Sequence, residues 1–139
     1  LLLLNGPNLN LLGQREPGVY GHRSFEDCLH DLRKRFPEHD LDHFQSNVEG
    51  ELVNALQAAD KVYEGVVFNA GGYTHTSVAL RDCIAAITVP VIEVHISNVL
   101  KREEFRHTSL IGGVCLGSIS GLGLDGYRLA VDHLVSCGA

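Results

Sequence analysis

Asn69-Ala70-Gly71-Gly72-Tyr73-Thr74-His75-Thr76-Ser77-Val78-Ala79-Leu80-Arg81-Asp82 is the stretch of sequence that decides the fold. It follows the apolar run Gly65-Val66-Val67-Phe68, which is typical of a buried strand, and it leads into a helical pattern over residues 78–87. Its polar residues therefore lie at the carboxyl end of a strand, where open α/β sheets bind their ligands. A plain Asn/Gly turn with a Ser or Thr cap would give the same pattern. This stretch alone is compatible with both interpretations.

Apolar segments and helical patterns alternate along the whole chain. Ser24 is predicted to cap a helix that Pro37 ends, and Asn47 is predicted to cap the next helix. Right-handed crossovers place such strands in one parallel sheet with helices on both faces. The expected fold class is α/β, a flavodoxin-like three-layer sandwich with a five-stranded parallel sheet. The predicted strands are residues 1–4, 41–45, 65–68, 89–95 and 114–119, and the closing helix covers residues 127–134.

The composition is that of a small acidic globular protein. With 139 residues, 45% of them hydrophobic, the chain suits one domain over residues 1–139. The net charge of −6 argues against nucleic acid or an anionic membrane as a partner, so an anionic ligand must meet locally placed arginines. Residues 1–4 are too short for a signal peptide, which predicts a cytoplasmic protein. The absence of methionine predicts that the native chain starts before Leu1.

The cysteines are scattered along the chain without a C-x-x-C pair. Three of them fall on apolar positions of predicted elements. We therefore expect buried free thiols rather than a disulfide or a metal site. The four positions are Cys28, Cys83, Cys115 and Cys137.

Glu93, His95 and Ser97 lie two residues apart at the end of the fourth predicted strand. Because side chains alternate along a strand, the three share one face if the extended backbone continues that far. Ionisable groups inside an apolar strand are costly unless they are paired. The pattern favours a carboxylate that orients an imidazole for proton transfer, with a purely structural pair as the alternative.

Two further patterns suggest other chemistry. His75, His95, His107 and Glu93 could meet around zinc, but no H-x-x-H or H-E-x-x-H spacing supports a metal site. Residues 121–126, Gly-Leu-Gly-Leu-Asp-Gly, match G-x-G-x-x-G, but only 13 residues follow them. A dinucleotide fingerprint belongs in the first strand-to-helix turn, so tight helix packing explains these glycines better.

Arg15 and Tyr20 share the long irregular loop between the first strand and Gly21. A guanidinium close to a phenol stabilises the phenolate and lowers the tyrosine pKa, so such a tyrosine can act as a base toward a carbon acid. Solvated surface groups in a loop are the alternative.

Four segments carry a family resemblance: Asn5-Gly6-Pro7-Asn8-Leu9, Arg15-Glu16-Pro17-Gly18-Val19-Tyr20-Gly21, Asn69-Ala70-Gly71-Gly72 with Thr74-His75-Thr76-Ser77, and Glu93-Val94-His95-Ile96-Ser97-Asn98. Taken in order, they resemble the type II 3-dehydroquinate dehydratases. The late segments Arg102-Glu103-Glu104-Phe105-Arg106 and 121–127 also fit this family, whereas Tyr73 and residues 110–115 depart from its commoner versions. The resemblance spans nearly the whole chain, and the flavodoxin-like fold of the family agrees with the layout above.

The resemblance implies an anti elimination of water from 3-dehydroquinate that needs no cofactor and no metal. The product is 3-dehydroshikimate, formed through an enolate, in the shikimate pathway or in quinate breakdown. Tyr20, held near Arg15, would remove the proton alpha to the ketone, and Asn8 would hold a water that stabilises the enolate oxygen. His95, oriented by Glu93, would protonate the departing hydroxyl.

The resemblance also implies substrate contacts and an assembly. Ser97 and the Ile96 N–H would bind the substrate carboxylate. Asp82 would reach from one subunit into the site of the next, within trimers that assemble into a dodecamer. The ring hydroxyls would meet Asn69, His75 and Arg106.

Two rival hypotheses remain at this point. One is the lysine Schiff-base route to the same product, for which Lys34, Lys61 and Lys101 are available, although none ends a predicted core strand. The other is a non-catalytic flavodoxin-like module that binds a small phosphorylated or nucleotide ligand at the same strand ends.

Overall fold

One parallel sheet organises the protein, whose structure is a computed structural model that describes residues 1–13 and 23–137. Within these residues the strand order is β2-β1-β3-β4-β5, and every neighbouring pair is parallel. This is the flavodoxin-like order, so the predicted fold class is confirmed. The strands are β1 (Leu2–Asn5), β2 (Asp42–Gln45), β3 (Val66–Asn69), β4 (Val91–His95) and β5 (Gly117–Ser120), and the helices are α1 (Phe25–Arg35), α2 (Glu49–Ala59), α3 (Val78–Ala86) and α4 (Asp125–Ser136).

The sheet is covered on both faces, which explains why its central strands are apolar without alternation. Leu3 of β1 packs in a cluster with residues of α1 and α4. Its neighbours Leu2 and Leu4 point to the opposite face and pack with residues of α2 and α3. No helix in the described ranges has the length and apolar character that a bilayer crossing requires.

Ser24 caps α1, as predicted. Its hydroxyl accepts a hydrogen bond from the Asp27 N–H, and the Asp27 carboxylate accepts one from the Ser24 N–H, which completes a capping box. The prediction for α2 is wrong, because Val48 occupies the cap position. The Asn47 side chain instead accepts a hydrogen bond from the Asn8 N–H at 3.0 Å, so it fixes the loop after β1.

The fifth strand begins later than predicted. Residues Gly112–Val114 form a short 3-10 turn, and β5 pairs with β4 only from Gly117 onward. The apolar side chains of Val114 and Cys115 pack against the core from this turn, which explains why they resembled a strand in the sequence.

All four thiols are free, but their burial differs from the expectation. Cys28 and Cys83 are buried and Cys115 is half-buried, whereas Cys137 is exposed just after α4 ends. Burial raises the pKa of the Cys115 thiol to about 12, with a further contribution from the charge of Glu93.

Candidate active site

A pocket opens at the carboxyl ends of β1, β3 and β4, where the sequence of residues 69–82 predicts a site. Parallel strands end at the same edge of the sheet, so residues distant in sequence converge there. The lining includes seven of the residues that the sequence and the family resemblance single out: Asn8, Asn69, His75, His95, Ile96, Ser97 and Arg106.

His95 and Glu93 form the pair that the alternating pattern predicts. His95 Nε2 lies 3.0 Å from Glu93 Oε2, and the side chains are 10% and 3% exposed, so water reaches the histidine more readily than the carboxylate. A carboxylate on one ring nitrogen fixes the tautomer and the orientation of an imidazole. Here Nε2 is committed to Glu93, and Nδ1 is the nitrogen left for a ligand.

Two serines complete the surroundings of Glu93. Ser109 Oγ donates to Glu93 Oε2 and Ser118 Oγ donates to Oε1, each at 2.5 Å. Burial alone would raise the pKa of Glu93, but the hydrogen bonds from His95, Ser109 and Ser118 outweigh it and lower the pKa. Glu93 is therefore a carboxylate at neutral pH. Nothing in the sequence pattern singled out these serines, because they reach Glu93 from a loop and from a neighbouring strand.

Asn69 is held in place from two sides. Its Nδ2 donates to the hydroxyl of Tyr127 at 3.0 Å, and its Oδ1 accepts from the Gly71 N–H at 3.1 Å. The Tyr127 hydroxyl in turn donates to Asn5 Oδ1 at 2.8 Å, and it is fully buried. One amide hydrogen and one lone pair of Asn69 thus remain for a ligand. The helix residue Tyr127 was not predicted to contribute to the site.

Close backbone contacts hold the first wall of the pocket. A Cβ on Gly6 would lie 2.5 Å from the Ala70 carbonyl oxygen, so only glycine fits between the ends of β1 and β3. Asn8 has a positive φ of 71°, which asparagine tolerates better than most residues. Gly71 also has a positive φ, and Ser77 caps α3 by accepting a hydrogen bond from the Leu80 N–H. Residues 69–82 therefore form both a capped turn and part of the pocket wall.

His75 faces His95 across the pocket, with ring centroids 6.3 Å apart. Its Nδ1 lies 2.9 Å from the Thr108 carbonyl oxygen, which accepts a hydrogen bond and leaves Nε2 as the free ring nitrogen. Burial lowers the pKa of His75, and the nearby Arg106 and His95 lower it further, although the Thr108 carbonyl opposes this. We expect a neutral imidazole at this position at pH 7.

Two arginines bring positive charge to the pocket. Arg106 was expected there, and its Nε lies 3.1 Å from Glu103 Oε2. Arg102 also lines the pocket, and its guanidinium donates to Ser97 Oγ at 3.4 Å. The sequence pattern assigned no role to Arg102. It lies four positions before Arg106, and the short turn between them places both side chains on the same wall of the pocket. A compact anion would meet a favourable local charge here.

The glycine-rich segment after β5 supports the end of β4. The Gly121 N–H donates to the His95 carbonyl oxygen at 3.1 Å, and the Gly123 N–H donates to the Ile96 carbonyl oxygen at 3.0 Å. A Cβ on Gly126 would lie 3.3 Å from Val94 Cγ1. These contacts agree with the packing interpretation of the G-x-G-x-x-G match.

Four predicted residues are not part of the pocket lining, and one of them, Glu93, lies behind His95 and contacts it. Asp82 lies on the exposed surface of α3, away from the pocket lining. Arg15 and Tyr20 fall outside the described residues. Within the ranges that the structure describes, no three His, Cys, Asp or Glu side chains gather as a metal site would require, and His107 Nε2 instead lies 3.0 Å from the Arg102 carbonyl oxygen.

Comparison with known proteins identifies the family. The model of the family Dehydroquinase class II matches residues 1–135. The chain belongs to the class II dehydroquinases. Among the relatives of this class II dehydroquinase, a 3-dehydroquinate dehydratase of Bacillus pumilus is 58% identical, over 99% of this chain and 95% of the relative.

Solved structures agree with this assignment. The type II dehydroquinase of Butyrivibrio crossotus is 43% identical with a TM-score of 0.90, covering 96% of this chain and 95% of that one. The type II dehydroquinase of Propionibacterium acnes is 38% identical with a TM-score of 0.93, covering 98% of this chain and 95% of that one. The described fold is thus that of known type II dehydroquinases.

Proposed function

We propose that this chain catalyses the elimination of water from 3-dehydroquinate to give 3-dehydroshikimate. The observation that carries the proposal is the buried Glu93–His95 pair at 3.0 Å, which opens onto a pocket lined by asparagines, a second histidine and two arginines. Family membership supports the same reaction, because the relatives include proteins named 3-dehydroquinate dehydratase.

The proposed mechanism separates the base from the acid. Tyr20, with its phenolate stabilised by Arg15, removes the proton alpha to the ketone, and the electron pair passes to the ketone oxygen as an enolate. A water held by Asn8 stabilises that oxygen. The enolate then re-forms the ketone, a carbon–carbon double bond forms, the carbon–oxygen bond breaks, and His95 gives its proton to the departing hydroxyl, which leaves as water.

The substrate is bound, in this proposal, by groups around that acid. Ser97 and the Ile96 N–H bind the carboxylate, and the adjacent arginine charge favours an anion. The ring hydroxyls are matched by groups that keep free hydrogen-bonding capacity, namely Asn69, His75 and Arg106.

The direct test adds 3-dehydroquinate to the purified protein and follows the absorbance of the conjugated enone. EDTA in the assay tests at the same time whether a metal contributes. We expect the same rate with and without EDTA. A protein that is folded by circular dichroism but produces no enone would refute the proposed function.

His95→Ala should lower kcat by about two to four orders of magnitude, the usual contribution of a general acid. His133→Ala is the matched control, because His133 is exposed on α4 and does not line the pocket. Tyr20→Phe should cause a loss of similar size, with Tyr63→Phe as its control. Wild-type turnover in His95→Ala or Tyr20→Phe would remove the corresponding role.

The assembly is also a proposal: a cytoplasmic dodecamer built from trimers, in which Asp82 completes the site of a neighbouring subunit. The exposed position of Asp82 on α3, outside the pocket of its own chain, supports this role. Light scattering tests the mass. Co-expression of Asp82→Ala with His95→Ala tests whether each site is shared between two subunits. If sites are shared, mixed trimers contain some intact sites and recover activity. If each site lies within one chain, no activity is recovered.

The two rival hypotheses have their own tests. All three lysines are described and exposed, and none lines the pocket, which disfavours a Schiff base. Borohydride treatment in the presence of substrate should therefore leave the protein unmodified and active. Tight binding of flavin or nucleotide without dehydration would favour the binding module instead.

A further inference from the structure

Glu93 is surrounded by hydrogen-bond donors from three separate parts of the fold. His95 Nε2 and Ser109 Oγ both approach Oε2, at 3.0 and 2.5 Å, while Ser118 Oγ approaches Oε1 at 2.5 Å. His95 follows on the same strand, Ser109 precedes the 3-10 turn Gly112–Val114, and Ser118 lies on β5. A carboxylate that is 3% exposed needs such donors, because burial penalises its charged form.

The direction of the Ser109 hydrogen bond is fixed by a second contact. The Gly112 N–H donates to Ser109 Oγ at 2.9 Å, so the serine oxygen is already an acceptor and its own hydrogen points to Glu93. Gly112 also has to be small, since a Cβ there would lie 3.1 Å from Glu93 Oε1 and 3.2 Å from Ser109 Oγ. The turn is thus shaped around the carboxylate.

We propose that Ser109 and Ser118 are positioning residues that keep Glu93 ionised, so that its carboxylate accepts the His95 Nε2–H and leaves the transferable proton on His95 Nδ1. This inference rests on the proposed function. Two hydroxyl donors stabilise the negative charge of Glu93, and a protonated Glu93 would no longer hold the imidazole as an acceptor. The serines act through Glu93 and do not touch the reacting atoms.

Other titratable groups around this centre are few among the described residues. His75 lies across from His95 at 6.3 Å between ring centroids. Burial, and to a smaller extent the charge of Glu93, raises the pKa of the Cys115 thiol on the adjoining turn. Cys115 remains a neutral thiol at the pH of the assay, because its pKa is raised to about 12. Tyr20, the proposed base, also contributes to the acid side of the pH profile, but it is the same in every variant compared. A shift between the wild type and a serine variant therefore reports on Glu93 with His95 and His75.

The test compares pH profiles of kcat/KM for wild type, Ser109→Ala and Ser118→Ala. Losing a hydrogen bond to a charged group should raise the Glu93 pKa by about one unit, so the acid limb of the Ser109→Ala profile should move up by about one pH unit. The shift for Ser118→Ala should be smaller, because Ser118 is exposed and water can replace its hydroxyl. Ser118→Thr keeps the hydroxyl on a strand position that favours β-branched residues, and it should restore the wild-type profile.

A second measurement does not depend on turnover. With ¹⁵N-labelled histidine, the His95 resonances, assigned by their loss in His95→Ala, should show Nε2 protonated and hydrogen-bonded to Glu93 in the wild type. When the pH is lowered, the Ser109→Ala variant should lose this hydrogen-bonded state at a pH about one unit higher than the wild type does. The inference would be overturned if the folded serine variants kept the pH profiles and the histidine titrations of the wild type. A loss of rate that is the same at every pH, with no shift of the pH profile, would also overturn it. An inactive wild type would instead refute the proposed function, while the histidine titration would still test the role of the serines.

Discussion

Tyr127→Phe isolates the buried network beneath the pocket. The substitution removes one oxygen that donates to Asn5 Oδ1 at 2.8 Å and accepts from Asn69 Nδ2 at 3.0 Å. Each amide group left without its partner in the core costs about 1–3 kcal/mol. Both amides keep a second contact, Asn5 with His43 and Asn69 with Gly71, so we expect the free energy of unfolding to fall by about 2–4 kcal/mol in total.

Urea unfolding at one fixed protein concentration measures this loss, because any assembly makes stability depend on concentration. Tyr63→Phe is the matched control: it deletes the same atom, but at the surface, where the Tyr63 hydroxyl donates to Asp42, and it should cost below about 1 kcal/mol. Tyr127→Phe should also raise KM more than it lowers kcat, since Asn69 is proposed to bind the ring hydroxyls. Equal stability of the two variants would refute the idea that the network stabilises the site.

Three further changes test individual steps of the folding argument. Ser24→Ala removes the capping box with Asp27 and should lower the free energy of unfolding by about 1 kcal/mol in the same urea assay. Gly50→Ala, on an exposed part of α2 with open space around its Cβ, should raise it by about 0.4–1 kcal/mol. Gly6→Ala should lower it by about 1–3 kcal/mol and impair activity, because its Cβ would meet the Ala70 carbonyl; a stability equal to that of wild type would contradict the close contact.

The sequence allowed the fold and part of the site to be predicted because those features depend on local patterns. Apolar runs and helical spacing determine the layers, and a two-residue spacing was enough to pair Glu93 with His95. Errors occurred where a side chain has two possible partners. Asn47 has the chemistry of a helix cap, but its side-chain Oδ1 accepts a hydrogen bond from the Asn8 N–H instead. This partner lies in a loop 39 positions away in the sequence.

The remaining site features depend on contacts between distant elements, which local patterns do not encode. Tyr127 reaches Asn5 across 122 positions, and Ser118 reaches Glu93 across 25. On the sequence alone, Tyr127 is an apolar residue of a closing helix and Ser118 a polar residue of an edge strand. Only the strand order, with β5 beside β4 and α4 packed across them, gives these residues their partners.

The charge distribution explains how an acidic protein can accept the anionic substrate proposed here. The net charge of −6 is spread over the surface, and salt screens such charges beyond about 8 Å at physiological ionic strength. Arg102 and Arg106 line the pocket itself, where a ligand would lie well within that distance. Glu103 pairs with both arginines, at 3.1 Å from Arg106 and 3.7 Å from Arg102, but two guanidinium groups against this one carboxylate leave a net positive charge. Glu93, behind His95, is 3% exposed, and its charge is taken up by His95 and the two serines. The field at the pocket is therefore set by local cations, and the same arrangement that keeps Glu93 ionised also keeps its charge away from the ligand.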